Sequence, residues 1–382
     1  MTRTTFTRHP PAEAFAWAET LAPVAAEERV PLAAAIGRVL ARPLHAAVDE
    51  PGESRAAIDG WAVAAADTQG ASDYSPLPLR AGQPAPGGAV SVLAGQALPA
   101  GTDAVVPLER AEPLGSFVEV STSLAVGDGV IPAAAEFPAG ALPIEAGQVV
   151  RPQDLGLAAL AGHTDALVRA RPRVALALAR AREDDPNGRM LSALIARDGG
   201  ELIRIAPATD AVALEDFLRD TRADLLLVAG GSAFGANDHA VDALAACGQV
   251  RLDGVAMHPG ETLALGEVDG TPVGVLPGTP LACLFAYDAV IARALRRLAG
   301  LPGDWPYHRH ACVLARKVAS TLGRMEFCRV RVDGARAEPI ATADGQLLRT
   351  AVLADGFIVI PPESEGHAEG SAVDVMLYRK TG

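Results

Sequence analysis

The sequence contains few of the residues that mark disulfide-rich or zinc-binding proteins. Cysteine occurs only four times in 382 residues, and no two cysteines form a C-x-x-C pair. Cys247 and Cys283 fall in predicted helices, whereas Cys312 and Cys328 fall in predicted strands. We therefore expect buried thiols in a reducing compartment rather than a zinc site.

Long apolar segments and an excess of positive charge are also missing. No run of about 18 apolar residues occurs and the N-terminus has no apolar signal core, so we expect a cytoplasmic protein with no membrane segment. The formal net charge of −13 argues against a protein that grips nucleic acid through its phosphates. It still permits a small anionic ligand that is held locally.

The composition is that of an ordinary globular protein, with 49% hydrophobic and 21% charged residues, and the length suits about two to four domains. Pro11–Leu21 and Pro31–Leu44 have helical patterns, and the second has apolar residues on most faces. Gly- and Pro-rich alternating runs follow, which predict an inserted β-rich module. We predict four domains: a helical one from residues 1–45 and 139–170, the β-rich insertion 46–138, an α/β domain 171–302 and a β-rich C-terminal domain 303–382.

Strand and helix patterns alternate between residues 171 and 302. Repeated β–α units predict a largely parallel sheet with helices on both faces. Ligands of such sheets bind beyond the carboxyl ends of the strands. The predicted strands are Arg173–Ala179, Glu201–Ile205, Asp224–Ala229, Val250–Met257 and Pro272–Leu276, and the predicted helices include Asn187–Arg197, Ala211–Asp220 and Pro280–Leu298.

One candidate binding segment, GGSAFGAND, directly follows the predicted strand Asp224–Ala229. A glycine-rich turn between a strand and a helix aims free N–H groups and the positive helix end at one point, which suits phosphate. Asp238 can hold a magnesium ion that bridges phosphate oxygens, and Asn237 or Asp238 can cap the next helix. A tight loop with a capping aspartate is the structural alternative. The glycines that let the backbone approach a ligand are Gly230, Gly231 and Gly235.

Three other segments contain candidate site residues. In AAIDGWAV, Asp59 lies on a turn, where an Asx-turn or cap is the alternative interpretation. In VLPGTPLACLFAY, Gly278 and Thr279 reach the same sheet edge as the first glycine turn, and Pro280 suits a first helical turn. In MHPGETLALG, His258 and Glu261 face a turn; a lone histidine there is more often a surface residue than a ligand.

Taken in order, these segments resemble the molybdopterin molybdenumtransferase family, which includes the C-terminal domain of gephyrin. AAIDGWAV is similar to the family's Ser-Ala-Met-Asp-Gly-Tyr-Ala-Val segment, and AGQALPAGTDAVVPLE to its Thr-Gly-Ala-x-x-Pro-x-Gly-Ala-Asp motif. LLLVAGGSAFGANDHAV, VAMHPGETLALG and VLPGTPLACLFAY are similar to its α/β domain, and TLGRMEFCRVRV and LADGFIVIPPE to its C-terminal part. The resemblance covers nearly the whole chain. It implies an α/β multidomain fold with a molybdopterin-binding domain, a helical N-terminal part and two β-rich modules.

The resemblance implies a site for adenylylated molybdopterin that is completed across a homodimer. In this family Mg²⁺ helps to cleave the adenylyl phosphoanhydride while molybdate joins the dithiolene, and a molybdoenzyme is the implied client. Asp59 and Asp238 are then the catalytic and metal-binding carboxylates. The residues implied to hold the ligand are Gly230, Gly231, Ser232, Gly235, Pro277, Gly278, Thr279, Pro280, Thr102, Asp103 and His258.

Several positions depart from the family pattern. The family's Thr-Gly-Asp-Glu-Leu segment is replaced by ALARAREDD, in which Glu183 or Asp184 is the candidate substitute for its acidic residue. His258 and Glu261 stand where the family usually carries lysines, and Thr279 replaces an asparagine. The loss of two positive charges weakens a site for phosphate or molybdate, and a glutamate repels both.

Two functions are consistent with this pattern. The first is insertion of molybdate into adenylylated molybdopterin with release of AMP, a Mg²⁺-dependent transferase reaction. The alternative is a non-catalytic paralogue that binds molybdopterin or the molybdenum cofactor as a carrier or maturation factor, which the departures favour. A gephyrin-type scaffold that docks a peptide has no support in the sequence beyond the resemblance in fold.

Overall fold

The computed structural model describes residues 7–141, 144–179, 185–233, 235, 238–341 and 347–379. The chain divides into two compact units. One unit is Arg29–Val168, and the other combines Met1–Glu28 with Arg169–Gly382. The narrower boundaries of four domains stay a prediction.

A six-stranded sheet from the predicted β-rich insertion is the centre of the unit Arg29–Val168. Across the sheet its strands are Ala104–Pro107, Gly60–Val63, Gly88–Val92, Leu77–Ala81, Phe117–Val120 and Ala111–Leu114. Neighbouring strands are antiparallel, except that Leu77–Ala81 and Gly88–Val92 run parallel. Other elements of this unit are the short strands Arg55–Ala56 and Val130–Ile131, the helices Leu32–Ala35 and Pro152–Leu160, and the 3₁₀ turns Ala65–Thr68 and Leu108–Arg110.

The prediction of a helix over Pro31–Leu44 is wrong for most of that segment. The helix covers only Leu32–Ala35, Ile36 is extended, and Gly37 has a φ of +71°. Beyond the glycine, Leu40 and Leu44 form bridges to other extended segments and are buried. A run that is apolar on every face is buried equally well as extended chain, so its lack of periodicity did not define a helix. Strands Glu27–Pro31 and Asp165–Arg169 pair as a two-stranded sheet.

The predicted α/β sheet is confirmed. Across it lie Glu201–Pro207, Arg173–Leu178, Leu225–Ala229, Thr271–Leu276, Ala264–Val268 and Gln249–Asp253. The first four strands are parallel, whereas the last two are antiparallel to their neighbours. The helices of this region are Pro11–Glu19, Pro186–Arg197, Ala211–Asp220, Ala240–Cys247, Pro280–Ala286 and Ala292–Leu298, the last two joined by the π-helical turn Tyr287–Ile291.

Two predictions for this sheet require correction. The segment predicted as one strand, Val250–Met257, ends at Asp253, and Met257–His258 pairs with a strand of a different sheet. Strand Ala264–Val268 was not predicted at all. Its glycine at position 266 hides the strand pattern; an added Cβ there would lie 2.2 Å from the carbonyl oxygen of Gln249, so the close pairing of the two backbones requires glycine.

Side chains on the central strand Leu225–Ala229 alternate between the two faces of the sheet. Leu225 and Leu227 belong to the apolar core on one face, whereas Leu226 and Val228 belong to the core on the other. Burial on both faces explains why this strand reads as a continuous apolar run. The register aligns Leu178, Ala229 and Leu276, so the chain leaves three neighbouring strands at one edge.

The C-terminal part is rich in β-strands, as predicted, and the structure shows in addition that these strands form a barrel. Its strands Met325–Asp333, Arg336–Ala341, His308–Leu314, Ala372–Leu377 and Gly356–Ile360 close into a ring because the first also pairs with the last. Val318–Ala319 pairs with Gly366–His367, and Arg349–Leu353 is a short helix. Met257–His258 joins the outside of strand Met325–Asp333, which fixes the segment leading to the proline turn at 259–261.

The predicted burial of the cysteines is confirmed for Cys283, Cys312 and Cys328, whereas Cys247 is only partly buried. Cys247 and Cys283 lie on helices, Cys312 and Cys328 lie on strands, and all four are free thiols. Burial raises the pKa of the Cys328 thiol to about 11 and raises that of Cys283 further. In the described residues, no helix is both long and apolar enough to cross a bilayer.

Candidate ligand-binding site

A cleft of about 390 Å³ lies at the edge where the parallel strands end. Three segments of the chain form it: the turn after Leu225–Ala229, the turn after Thr271–Leu276 and the proline turn near residue 260. Its volume is within the range of small-molecule sites. The lining residues are Gly231, Ser232, Ala233, Asp238, Pro259, Glu261, Thr262, Pro277, Gly278, Thr279, Pro280, Leu281 and Ala282.

The first turn depends on two consecutive glycines in the left-handed region, Gly230 with a φ of +92° and Gly231 with a φ of +68°. A Cβ added to Gly231 would lie 3.3 Å from the Cβ atoms of both Ala179 and Ala240. The N–H of Gly230 donates to the carbonyl of Leu276 at 2.9 Å. The expectation of a free N–H group is therefore wrong at Gly230, whose role is to shape the turn.

Asp238 lines the cleft and braces its own loop. Its Oδ2 accepts a hydrogen bond of 2.8 Å from the N–H of Gly235. The N–H of Gly235, like that of Gly230, is therefore already bonded within the protein. The following helix begins at Ala240 with His239 as its N-cap. The interpretation of Asp238 as the helix cap is therefore wrong, and the alternative cap, Asn237, lies outside the described residues.

The second turn contributes the N-terminus of a long helical segment. Gly278 approaches Gly230 so closely that a Cβ added to Gly278 would lie 3.4 Å from the Gly230 Cα. Pro280 begins the helix, which continues as a helical segment to Leu298. The N–H groups in the first turn of a helix have no intrahelical acceptor. Those of Leu281 and Ala282 are in that turn, and both residues line the cleft.

Asn187 supports this second turn and was missed by the sequence analysis. It is 5% exposed, and its Nδ2 donates to the carbonyl of Gly278 at 2.9 Å. Asp185 caps the helix Pro186–Arg197, because its Oδ1 accepts from the N–H groups of Asn187 and Gly188 at 2.8 and 3.0 Å. The pattern D-P-N was a usable signal for the cap, but nothing in it pointed to Gly278.

The third segment brings a carboxylate, Glu261, to the cleft. Its Oε2 accepts a 3.1 Å hydrogen bond from the N–H of Gly260 and lies 3.3 Å from Nδ1 of His258. The contact with His258 is the main reason that the pKa of Glu261 falls to about 2, against the opposing effect of burial. His258 is 13% exposed and is not among the residues that line this cleft; its predicted role in binding the ligand stays a prediction.

Hydroxyl groups connect the segments across the cleft. Ser232 on the first turn and Thr262 after the proline turn are 2.7 Å apart through their side-chain oxygens. Ser232 is almost fully buried at 2% exposure. This hydrogen bond ties the glycine turn to the segment that carries Glu261.

Asp59, Thr102 and Asp103 belong to the other unit, Arg29–Val168, and have local structural partners there. The exposed Asp59 accepts from the N–H of Ala94 through Oδ1 at 2.8 Å. Thr102 donates to the carbonyl of Pro99 at 2.7 Å, and Asp103 accepts from the N–H of Ala65 at 2.7 Å. The bond of Asp59 fits its turn-stabilising interpretation, and the roles of all three residues in ligand binding stay predictions.

The charge of the cleft is unusual for an anion site. Its described lining contains Asp238 and Glu261 but neither lysine nor arginine. The candidate substitutes for the missing acidic motif, Glu183 and Asp184, lie outside the described residues. In the described lining, attraction for an anion must come from backbone N–H groups, the helix N-terminus and hydroxyl groups.

Three protein-family models match the chain in succession. Residues 9–162 match the MoeA N-terminal region (domain I and II), residues 173–297 match a probable molybdopterin binding domain, and residues 311–378 match the MoeA C-terminal region (domain IV). The cleft formed by the two glycine turns falls within the second of these ranges.

Several proteins are similar to this chain over most of its length. A protein of Mycobacterium tuberculosis named molybdopterin molybdenumtransferase 2 is 30% identical, with 91% of this chain and 94% of that protein aligned. A molybdopterin molybdenumtransferase of a Nostoc species is 29% identical over 73% of this chain and 71% of its own length. Two crystal structures of the Pyrococcus horikoshii molybdopterin biosynthesis MoeA protein have TM-scores of 0.80 and 0.81, at 27% and 24% identity, covering 98% and 97% of this chain and all of theirs.

Proposed function

The chain belongs to the MoeA family of molybdenum cofactor biosynthesis proteins, and we propose that it inserts molybdate into adenylylated molybdopterin with release of AMP. The observation that carries the proposal is the cleft at the carboxyl edge of the parallel sheet, where two glycine turns meet a helix N-terminus and Asp238. It falls in the region that matches the molybdopterin-binding model.

The residues of the chain have distinct tasks in this proposal. The N–H groups of Leu281 and Ala282 and the positive end of their helix suit the phosphates. Thr279 adds a hydroxyl donor to this end of the cleft. Asn187 holds the Gly278 carbonyl, which keeps the turn in the shape that exposes these donors.

The donor set of the cleft fits a magnesium ion. Mg²⁺ prefers hard oxygen ligands and is usually held by one or two carboxylates together with substrate phosphates. Asp238 presents a carboxylate, and Ser232, Thr262 and Thr279 present hydroxyl oxygens in the same cleft. We propose that Asp238 holds the ion. When bound, Mg²⁺ would offset negative charge on the phosphate oxygens during cleavage of the phosphoanhydride.

We further propose a homodimer in which the unit Arg29–Val168 of the partner completes the site. Asp59, Thr102 and Asp103 of the partner would then face the ligand. Asp59 would be the second catalytic and metal-binding carboxylate. The proposed location is the cytoplasm, where four free thiols stay reduced, and the proposed recipient of the product is a molybdoenzyme.

AMP release from adenylylated molybdopterin, with Mg²⁺ and molybdate present, tests this function. Asp238→Asn keeps the size of the side chain and removes its charge, and Asp59→Asn does the same in the other unit. Asp242→Asn is the matched control, because Asp242 lies in the helix that follows Asp238 and is not among the residues that line the cleft. Release that requires molybdate and falls at least about 100-fold in the two site variants, but not in the control, is the expected result.

The lack of lysine and arginine in the described lining supports a second candidate function. A paralogue that binds molybdopterin or the finished cofactor as a carrier needs no charge stabilisation during bond cleavage. Pterin binding without AMP release, unchanged by Asp238→Asn and Asp59→Asn, would refute the transferase and leave the carrier.

A further inference from the structure

Glu261 is a fixed negative charge on the wall of the cleft. Its side chain is 36% exposed and lines the cleft beside Pro259 and Thr262. Gly260 and His258 both contact the same oxygen, Oε2. Within the described residues, Oε1 accepts no hydrogen bond from another residue, so it retains lone pairs for a ligand.

A carboxylate in this position selects one end of a bifunctional ligand. It repels phosphate and molybdate oxygens, but it attracts adjacent N–H donors on a planar ring. The donors for anions lie instead at the helix that starts at Pro280. The lining of the cleft therefore includes both N–H donors for an anion and a carboxylate that accepts hydrogen bonds.

We propose that Glu261 recognises the 2-amino-4-oxopyrimidine edge of the pterin, by accepting hydrogen bonds from its 2-amino group and N3–H. This inference rests on the proposed function and adds to it the orientation of the substrate, with the pterin toward Glu261 and the phosphates toward residues 278–282. His258 and Gly260 are positioning residues, because they hold Oε2 and leave Oε1 directed to the ligand.

Three contacts keep the Glu261 carboxylate ionised and in place. His258 holds the pKa of Glu261 near 2, so the group is charged throughout the physiological range. The carbonyl of Glu261 accepts from the N–H of Val255 at 3.1 Å, and the hydroxyl pair of Ser232 and Thr262 braces the next residue. A preorganised acceptor gives more discrimination than a mobile surface glutamate.

Binding of 6-hydroxymethylpterin and 6-hydroxymethyllumazine to the full chain, followed by ligand fluorescence without Mg²⁺, tests the inference. The lumazine differs by an oxygen in place of the 2-amino group, so it repels the carboxylate where the pterin donates to it. We expect the wild-type chain to prefer the pterin by at least about tenfold. Glu261→Gln should lose most of that preference, because its amide can donate to the 2-oxo group of the lumazine.

Glu267→Gln is the control for removal of one partly exposed carboxylate. Glu267 is 39% exposed, pairs with Arg251 and is not among the cleft residues, so the preference for the pterin should stay intact. Thermal melting of both variants verifies that they are folded. His258→Gln should weaken pterin binding less than Glu261→Gln and should not reverse the preference, as expected for a positioning residue.

The results separate this inference from the transferase function. Equal binding of the two compounds, binding of neither, or an unchanged preference in folded Glu261→Gln would overturn the role of Glu261. If molybdate-dependent AMP release persists in that case, the transferase stands while the orientation is wrong. If the wild-type chain releases no AMP but still prefers the pterin to the lumazine, the transferase function is refuted and the pterin site stands.

Discussion

Replacement of Gly231 by alanine should both destabilise the protein and impair the cleft. A non-glycine residue at a φ of +68° costs about 1–2 kcal/mol. The new Cβ would also meet the Cβ atoms of Ala179 and Ala240 at 3.3 Å, and overpacking of this kind adds about 1 kcal/mol or more. We expect Gly231→Ala to lower the free energy of unfolding by about 2–3 kcal/mol.

Gly270→Ala is the matched control, since it isolates the conformational cost. Gly270 has a φ of +78°, and no atom lies within 4 Å of an added Cβ, so only the cost of about 1–2 kcal/mol applies. Urea denaturation measures both variants, and AMP release is measured on the folded fractions. Equal losses of stability in the two variants, or AMP release at the wild-type rate by folded Gly231→Ala, would refute this role of Gly231.

Two further predictions concern the walls of the cleft. Asn187→Leu removes the donor to the Gly278 carbonyl, so it should lower the free energy of unfolding by about 1–3 kcal/mol and weaken pterin binding. Asn187→Asp adds a negative charge and should weaken the binding of an anion further. Unchanged urea midpoints and unchanged affinities would contradict both expectations. The pKa of Glu261 is lowered to about 2, so its contribution to stability is present above its unfolded pKa and is lost as the pH falls from about 4.5 toward 2. The difference in melting temperature between the wild type and Glu261→Gln should therefore shrink over that pH range, and a constant difference would rule this out.

The parallel part of the fold was predictable because its signals are local. The run Leu225–Ala229 is apolar on both faces, and Gly230 immediately marks where the strand must turn. Each motif that indicated the family is likewise a short local segment, and the order of these segments along the chain identified the family. Asp238 and Gly278 were placed at one sheet edge from strand–turn–helix patterns alone, and both line the cleft.

Features that depend on distant partners were missed. Asn187 and Gly278 are 91 positions apart, and no periodicity reveals such a hydrogen bond. Strand Ala264–Val268 was hidden because its pairing relies on Gly266 rather than on a β-branched side chain. The prediction of a helix over Pro31–Leu44 was wrong because the packing of Leu40 and Leu44 against extended segments outweighed helix propensity.

The role of Glu261 also required the structure. The sequence showed only that a glutamate and a histidine stand where the family usually carries lysines, which argued against an anion site. The geometry shows that the two residues contact each other, with Nδ1 of His258 3.3 Å from Oε2 of Glu261. The same substitution that weakens one end of the cleft for phosphate makes it an acceptor for N–H donors.

The most direct test of the central claim is the ratio of molybdenum to AMP after a single turnover. The full chain is mixed with adenylylated molybdopterin, Mg²⁺ and molybdate, and the pterin product is separated and its molybdenum measured by mass spectrometry. If the protein is the transferase, one molybdenum enters the pterin for each AMP released, and both are lost in Asp238→Asn. Release of AMP without molybdenum in the pterin, or no release at all, would contradict it.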